Sequence, residues 1–400
     1  MTWLDLDEKR VKRALGVVLE EPGINPWEEI FASVVMSGLA EPGDRNAGEL
    51  VQQYGAVKVV ECIHGAQNHS KEGLNQSLAT TTERESAFER WCSRLNLSET
   101  VRQLERLAAI HGRLVTPHST LWPQSLRDLG PHAPFALWLR GKAELLNRLS
   151  ESMAVVGARA STGYGEHVVM EHVGALAESG MCIVSGAAYG IDGIAHRTAL
   201  AVGGPTIAVL AGGVDRFYPS GHDALLHRIV ESGLVLSEMP CGFAPTKWRF
   251  LQRNRLIAAL SAATVVIEAG KRSGSLNTAH HAFELGRPVG VIPGPVTSGS
   301  SVGCHRLLRE TEAMCVTNAE EMRQLLPQYS EPYTYTPYID MTDEEIRVRD
   351  ALSLRAWRDV HRIARESGVA IAQVMAALSS LEIQDLAHTD GVGWKRLPTR

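Results

Sequence analysis

Between residues 152 and 316, seven short apolar runs are separated by segments of helix length: 153–156, 181–184, 206–210, 234–236, 264–267, 288–292 and 314–316. Runs this short and this continuously apolar are buried on both faces. A sheet achieves that when its strands are parallel and helices cover both sides. The pattern predicts an α/β fold with a doubly wound, Rossmann-like and mostly parallel sheet. A ligand is then expected beyond the carboxyl ends of the strands.

The flanks read differently. Residues 1–112 repeat apolar positions at helical spacing, as in Val11, Leu15, Val18 and Leu19, and predict a helical N-terminal domain. Within it, 66–89 is polar and weakly periodic, a long loop or a solvated helix pair. Residues 113–151 hold several prolines and form an adaptor into the doubly wound domain, which runs to 326. A Pro/Tyr-rich linker follows at 327–342. The remainder, 343–400, predicts three amphipathic helices and a two-stranded turn, a winged-helix-like domain.

Net charge narrows the partners. A chain that coats duplex DNA is usually basic overall, and this one carries −5. A local basic groove stays compatible with that total. Six cysteines lack C-x-x-C spacing, so they read as core residues in a reducing compartment. No apolar signal core and no run of membrane-spanning length is present, which makes the expected location cytoplasmic, with no membrane contact.

Five strand ends open into unusual loops. In "VVGARASTGYG", Gly157 permits a tight turn and Ser161 or Thr162 can cap the next helix beside Arg159. An anion at the free helix N–H groups and a plain glycine turn with a surface arginine are equally compatible with it. In "VSGAAYGIDGIAH", Ser185, Asp192 and His196 suggest a catalytic triad but lack the nucleophile-elbow context. Capping by Asp192 and a helix-borne His196 account for them better. The loop 212–219 offers Phe217 and Tyr218 as rings for a base or as turn packing. "KWRFLQRNRL" interleaves Lys247, Arg249, Arg253 and Arg255 with Trp248 and Phe250, a combination suited to a charged backbone with stacking bases, or to a solvated helix start. Asn254 between two arginines reads as a base-edge contact or a brace. The last loop, 270–275, holds Lys271, Arg272, Ser273, Gly274 and Ser275. Glu268 before it is expected in an ion pair. No Walker lysine motif is present, and no acid ends the second strand for a nicotinamide ribose. His280, His281 and Glu284 read as a solvent face rather than as metal ligands. No cofactor and no metal is expected.

Six pieces in order — the two quoted loops, "IAVLAGGVDRFYP", "FLQRNRLIAALS", "SGSLNTAHHAFELGRPVGVIPG" and "GCHRLL" — resemble the DNA-processing protein A (DprA or Smf) family, over about 113–313. Leu251, Ala259, Asn277 and His305 depart from its usual residues. The resemblance implies a non-enzyme that binds single-stranded DNA, forms a homodimer through the doubly wound domain, and loads RecA recombinase. The loading is onto strands covered by single-strand-binding protein, in natural transformation. Carried over by position, the contacts are Arg159, Ser161, Gly186, Lys247, Arg253, Asn254, Arg255, Lys271, Ser273, Gly274 and Ser275. The alternatives are a phosphoribohydrolase-type enzyme acting through Glu268, and a nucleotide sensor. In the tail, Arg355, Arg358, Arg362 and Arg365 predict a basic helix stripe, either a phosphate or acidic-partner contact or a solvated face. The third tail helix lacks lysine and arginine and is a poor groove reader.

Overall fold

The computed structural model describes residues 3–19, 26–68, 81–330 and 341–397. They divide into two compact units, Met1–Ser330 and Glu331–Arg400. The stretch 69–80, at the centre of the polar segment, and 331–340, most of the linker, lie outside the described residues.

The first unit is built on nine strands: β1 (Arg113–Val115), β2 (Leu137–Gly141), β3 (Ser152–Val156), β4 (Cys182–Ser185), β5 (Thr206–Val209), β6 (Leu234–Ser237), β7 (Ala263–Val266), β8 (Val289–Val291) and β9 (Met314–Cys315). Their order is β1-β2-β6-β5-β4-β3-β7-β8-β9. The seven strands from β6 across to β9 are parallel, and each answers to one of the apolar runs. Doubly wound topology is therefore present as expected. The adaptor segment adds what its prolines concealed: β2 pairs antiparallel with β6, and β1 antiparallel with β2.

Side chains alternate between the two faces of the sheet. On one face Ala154, Val156, Val209 and Val266 pack against Leu256, Ala279 and Cys304 of the helices Lys247–Ala259, Gly274–Glu284 and Val302–Glu310. On the other face Met153, Val155 and Ile183 meet the helical stretch 163–178 and the helix Ile191–Ala201. Further along that face Ala208, Val235 and Trp138 share one core with Phe31, Trp91 and Leu104 of the N-terminal helices. The helices before residue 113 and the edge of the sheet are thus continuous in their packing.

His196 lies fully inside this core. Thr206 Oγ1 donates to the Ile183 carbonyl, so it accepts from His196 Nδ1 at 2.7 Å. Burial lowers the imidazole pKa to about 3, and nearby His222 and Arg253 push the same way. The unfolded chain takes up this proton near pH 6.5, whereas the folded chain does not. Stability is therefore present above pH 6.5 and falls as pH drops toward 3, by about 4 kcal/mol at the lower limit. His196→Phe is expected to flatten that acid limb in urea unfolding at pH 4 relative to pH 7. An unchanged limb would remove His196 as its cause.

The second unit holds the helices Asp343–Asp350, Val360–Ser367 and Ile371–Ile383, then an antiparallel pair, β10 (Ala387–Thr389) and β11 (Trp394–Arg396). The expected arginine stripe is broken. Asp359 caps the helix Val360–Ser367, so Arg355 and Arg358 precede it. Arg358 bridges to Trp394 in backbone pairing, and its guanidinium joins Glu366, which also takes Arg362 at 2.9 Å. An aspartate with a strong capping preference interrupted a pattern that spacing alone made continuous.

Candidate functional site

Strand order reverses between β3 and β7. From β3 the chain winds outward through β4, β5 and β6, and from β7 through β8 and β9, so the loops after β3 and β7 part and leave a crevice. Glu268, 1% exposed, ties the two loops together. Its carboxylate accepts from Thr162 N at 2.9 Å, Thr162 Oγ1 at 2.6 Å and Ser300 Oγ at 3.2 Å. Among the described residues Glu268 forms no ion pair, contrary to expectation. Hydroxyl and amide donors replace it, because the capping turn of the next helix arrives at the strand end. Thr162, not Ser161, is that cap, and it accepts from Gly165 N.

The crevice is a groove of about 850 Å³. Its base is formed by 157–159, Gly270 and 272–275, and one wall is the helix Lys247–Ala259. Thr246 caps that helix by accepting from Arg249 N at 3.2 Å. Helical spacing then sets Lys247, Phe250, Leu251 and Asn254 along the groove. Phe250 is a hub there. The Arg159 guanidinium lies 5.4 Å from its ring centre, Arg253 lies at 5.7 Å, and the Tyr218 ring at 5.6 Å. Tyr218 is half-exposed and lines the groove. Phe217 is buried instead, with Arg140 over its ring.

Of the eleven residues expected from the sequence, seven line this groove: Arg159, Lys247, Arg253, Asn254, Ser273, Gly274 and Ser275. They serve different ends. Arg159 and Lys247 are exposed and form no ion pair among the described residues. Ser273 caps the helix Gly274–Glu284, its Oγ 2.7 Å from Ser275 Oγ, so two hydroxyls and a helix N-terminus face the groove.

Arg253 is only 5% exposed. Its Nη1 donates to the carbonyls of Gly186 at 2.6 Å and Val209 at 2.5 Å, and its Nη2 bonds no described residue. Burial lowers its pKa to about 10, against the pull of Asp192. Asp192 lines the groove, takes Gly186 N at 3.2 Å, and has its carboxyl pushed up by burial while Arg253 opposes. Asn254 is a brace. Its amide donates to Asn277 Oδ1 at 3.1 Å and the Gly274 carbonyl at 3.3 Å, and it accepts from Arg253 Nε.

The other four fall elsewhere. Ser161 Oγ donates to Glu166. Gly186 is buried behind Arg253, and a Cβ there would strike its guanidinium. Arg255, 3% exposed, points to the opposite side of its helix and pairs with buried Glu238 at 2.5 Å. Lys271 is exposed but outside the groove, which Arg272 lines instead. Arg272 also forms no ion pair among the described residues. Adjacent cations in one loop cannot be ranked by spacing, since the turn alone decides which one faces inward. Away from the groove, His280 and His281 both contact Glu284 on their helix surface, at 3.3 and 3.0 Å.

The family model for "DNA recombination-mediator protein A" matches residues 113–327. A putative DNA processing protein DprA of Mycobacterium tuberculosis is 39% identical over 390 residues, covering 94% of this chain and 95% of that one. The Escherichia coli protein Smf is 35% identical over 294 residues, 71% of this chain and 77% of its own. The solved structure of DNA processing protein A from Streptococcus pneumoniae superposes with a TM-score of 0.58 at 30% identity. It covers 74% of this chain and 97% of the other.

Proposed function

Because the chain belongs to the DNA recombination-mediator protein A family, we propose that its strand-end groove holds single-stranded DNA and that the protein delivers RecA recombinase to that strand. One observation carries the first part. Three exposed cations without ion-pair partners among the described residues, Arg159, Lys247 and Arg272, surround two rings, Tyr218 and Phe250, in one open groove. Cations along a path hold phosphates, and rings accept any base face, so the strand is bound without reading much sequence. The serine hydroxyls and amides at 273–275 cap a further phosphate.

Mediation needs no bond breaking, and the carboxylates Asp192 and Glu268 are engaged by the protein itself. Asp192 is buried against Arg253, and Glu268 is closed in by its three hydrogen bonds. The protein is read as a non-enzyme that acts in DNA processing, including natural transformation, in the cytoplasm. It works as a homodimer, with RecA and single-strand-binding protein as its protein partners. The C-terminal unit is read as a winged-helix-like module. Among the described residues no helix is long and apolar enough to cross a membrane.

Binding of fluorescent oligo-dT and of its duplex at two salt concentrations tests the reading. Preference for the single strand with steep salt weakening is expected. No binding of either at low salt would overturn it. RecA assembly on strands pre-coated with single-strand-binding protein then tests delivery, and should quicken when this protein is added. Tyr218→Ala is expected to weaken oligo-dT binding by about 1–2 kcal/mol with little change in salt slope, since a ring stacks and carries no charge. A free mononucleotide should compete poorly. Effective competition would favour a nucleotide sensor instead.

A further inference from the structure

The segment 242–249 walls a second cavity, of about 350 Å³, as well as the groove. Its opposite wall comes from Val35 and Leu39 of the helix Trp27–Leu39 and from Glu99, Gln103 and Arg106 of the helix Leu97–Ala109. Gln103 is 6% exposed, lines this cavity, and its amide hydrogen-bonds no described residue. Its polar atoms are not sealed from solvent, so their partner belongs in the cavity that Gln103 lines.

The neighbours limit what that partner is. Burial pushes the Glu99 carboxyl up, but Arg102 and Arg106 beside it prevail and hold it below the usual carboxylate range. It is therefore an ionised acceptor, set among Arg94, Arg106 and Arg249 of the same lining. Arg106 supplies donors, and Gln103 supplies one donor group and one acceptor. Val35, Leu39 and Phe243 supply apolar surface. Mixed donors and acceptors beside apolar surface suit a planar heterocycle.

We propose that this cavity takes a nucleobase bearing an exocyclic amino group, with Glu99 accepting from the amine and Gln103 pairing along the ring edge. Cytosine, adenine and guanine qualify. Thymine offers only its ring N–H and is disfavoured. The inference rests on the single-strand reading only for the source of the base, which is either the bound strand or a free nucleoside.

Calorimetric titration with deoxycytidine, deoxyadenosine, deoxyguanosine and thymidine is the test, for wild type and Gln103→Leu. At least one amino-bearing nucleoside should bind about tenfold more tightly than thymidine, and Gln103→Leu should weaken it about tenfold. The melting temperature of Gln103→Leu should hold, because the amide hydrogen-bonds no described residue. The idea is overturned if no nucleoside binds, if Gln103→Leu leaves binding intact, or if inorganic phosphate alone binds there. A marked loss of stability on Gln103→Leu would also overturn it. The same titration on the Arg159→Ala, Arg272→Ala protein separates this site from the groove, since deoxycytidine binding should survive there whether or not oligo-dT binding does. A preference for oligo-dC over oligo-dT that Gln103→Leu removes assigns the base to the strand. An unaltered ratio, with nucleoside binding lost, assigns it to a free nucleoside.

Discussion

Replacing Arg159 and Arg272 together by alanine is expected to lower oligo-dT affinity about 100-fold at low salt, while the melting temperature stays within a degree or two. Each guanidinium that meets a phosphate through a charge-assisted hydrogen bond contributes about 1.5 kcal/mol, and about 1.4 kcal/mol is a factor of ten. Both side chains are exposed and form no ion pair among the described residues, so the fold loses little beyond the contact of Arg159 with the Phe250 ring when they are shortened. The salt dependence reports the same loss independently. Each phosphate contact removed flattens the slope of log affinity against log salt by about 0.7 for a single strand, so two should flatten it by about 1.4. Lys271→Ala is the control, because that lysine sits next to Arg272 but outside the groove. It should change affinity by no more than about threefold through the long-range field alone. Equal losses for Lys271→Ala and Arg272→Ala would mean that the strand runs over the loop's outer side.

Arg255→Ala should act in the opposite sense, on stability rather than on binding. Arg255 and Glu238 are 3% and 8% exposed, with 2.5 Å between them. Removing one partner of such a pair leaves an uncompensated buried charge and costs about 3–5 kcal/mol. The cost should depend on pH. Burial raises the Glu238 carboxyl, and Arg255 is what opposes this. Without the arginine, the folded pKa lies well above the unfolded value of about 4.3. A group raised in this way contributes its stability below the unfolded pKa and loses it as pH climbs through the folded one. The variant should therefore be nearer to wild type at pH 5 than at pH 8 in urea unfolding. Arg255 Nε and Nη1 are buried and hydrogen-bond no described residue, so the native pair is itself imperfectly satisfied. The double replacement Arg255→Met, Glu238→Leu should accordingly recover most of the loss. A pH-independent penalty would point to lost packing of the arginine stem instead.

Arg253-Asn254-Arg255 shows how far sequence reasoning reaches. The tripeptide advertises two cations around an amide, and its composition suggests three contacts to one ligand. In the fold the three side chains do three different things. Arg253 holds the carbonyls of Gly186 and Val209 at the edge of the groove, Asn254 fastens the helix to the 274–277 turn, and Arg255 faces away into the core. A helix rotates by about 100° per residue, so three consecutive residues cannot all face one ligand. The spacing of Lys247, Phe250, Leu251 and Asn254 was the better guide, because three or four residues return to the same side.

What the sequence determined alone is the sheet and its functional edge. Apolar runs of strand length can be satisfied only when covered on both faces, and the right-handed crossovers of a parallel sheet bring every following loop to one end. The positions of β3 through β9, the glycine- and hydroxyl-rich loops, and the basic character of the crevice all follow from that. Tertiary structure decided the rest, because it concerns direction rather than composition. It turned Arg272 inward and Lys271 outward, gave Glu268 hydroxyl donors in place of an arginine, and added β1 and β2 from a proline-broken segment. It also enclosed Gln103 in a cavity whose walls are more than a hundred residues apart in the chain. Periodicity records which face of its own element a residue occupies, and only packing determines what that face meets.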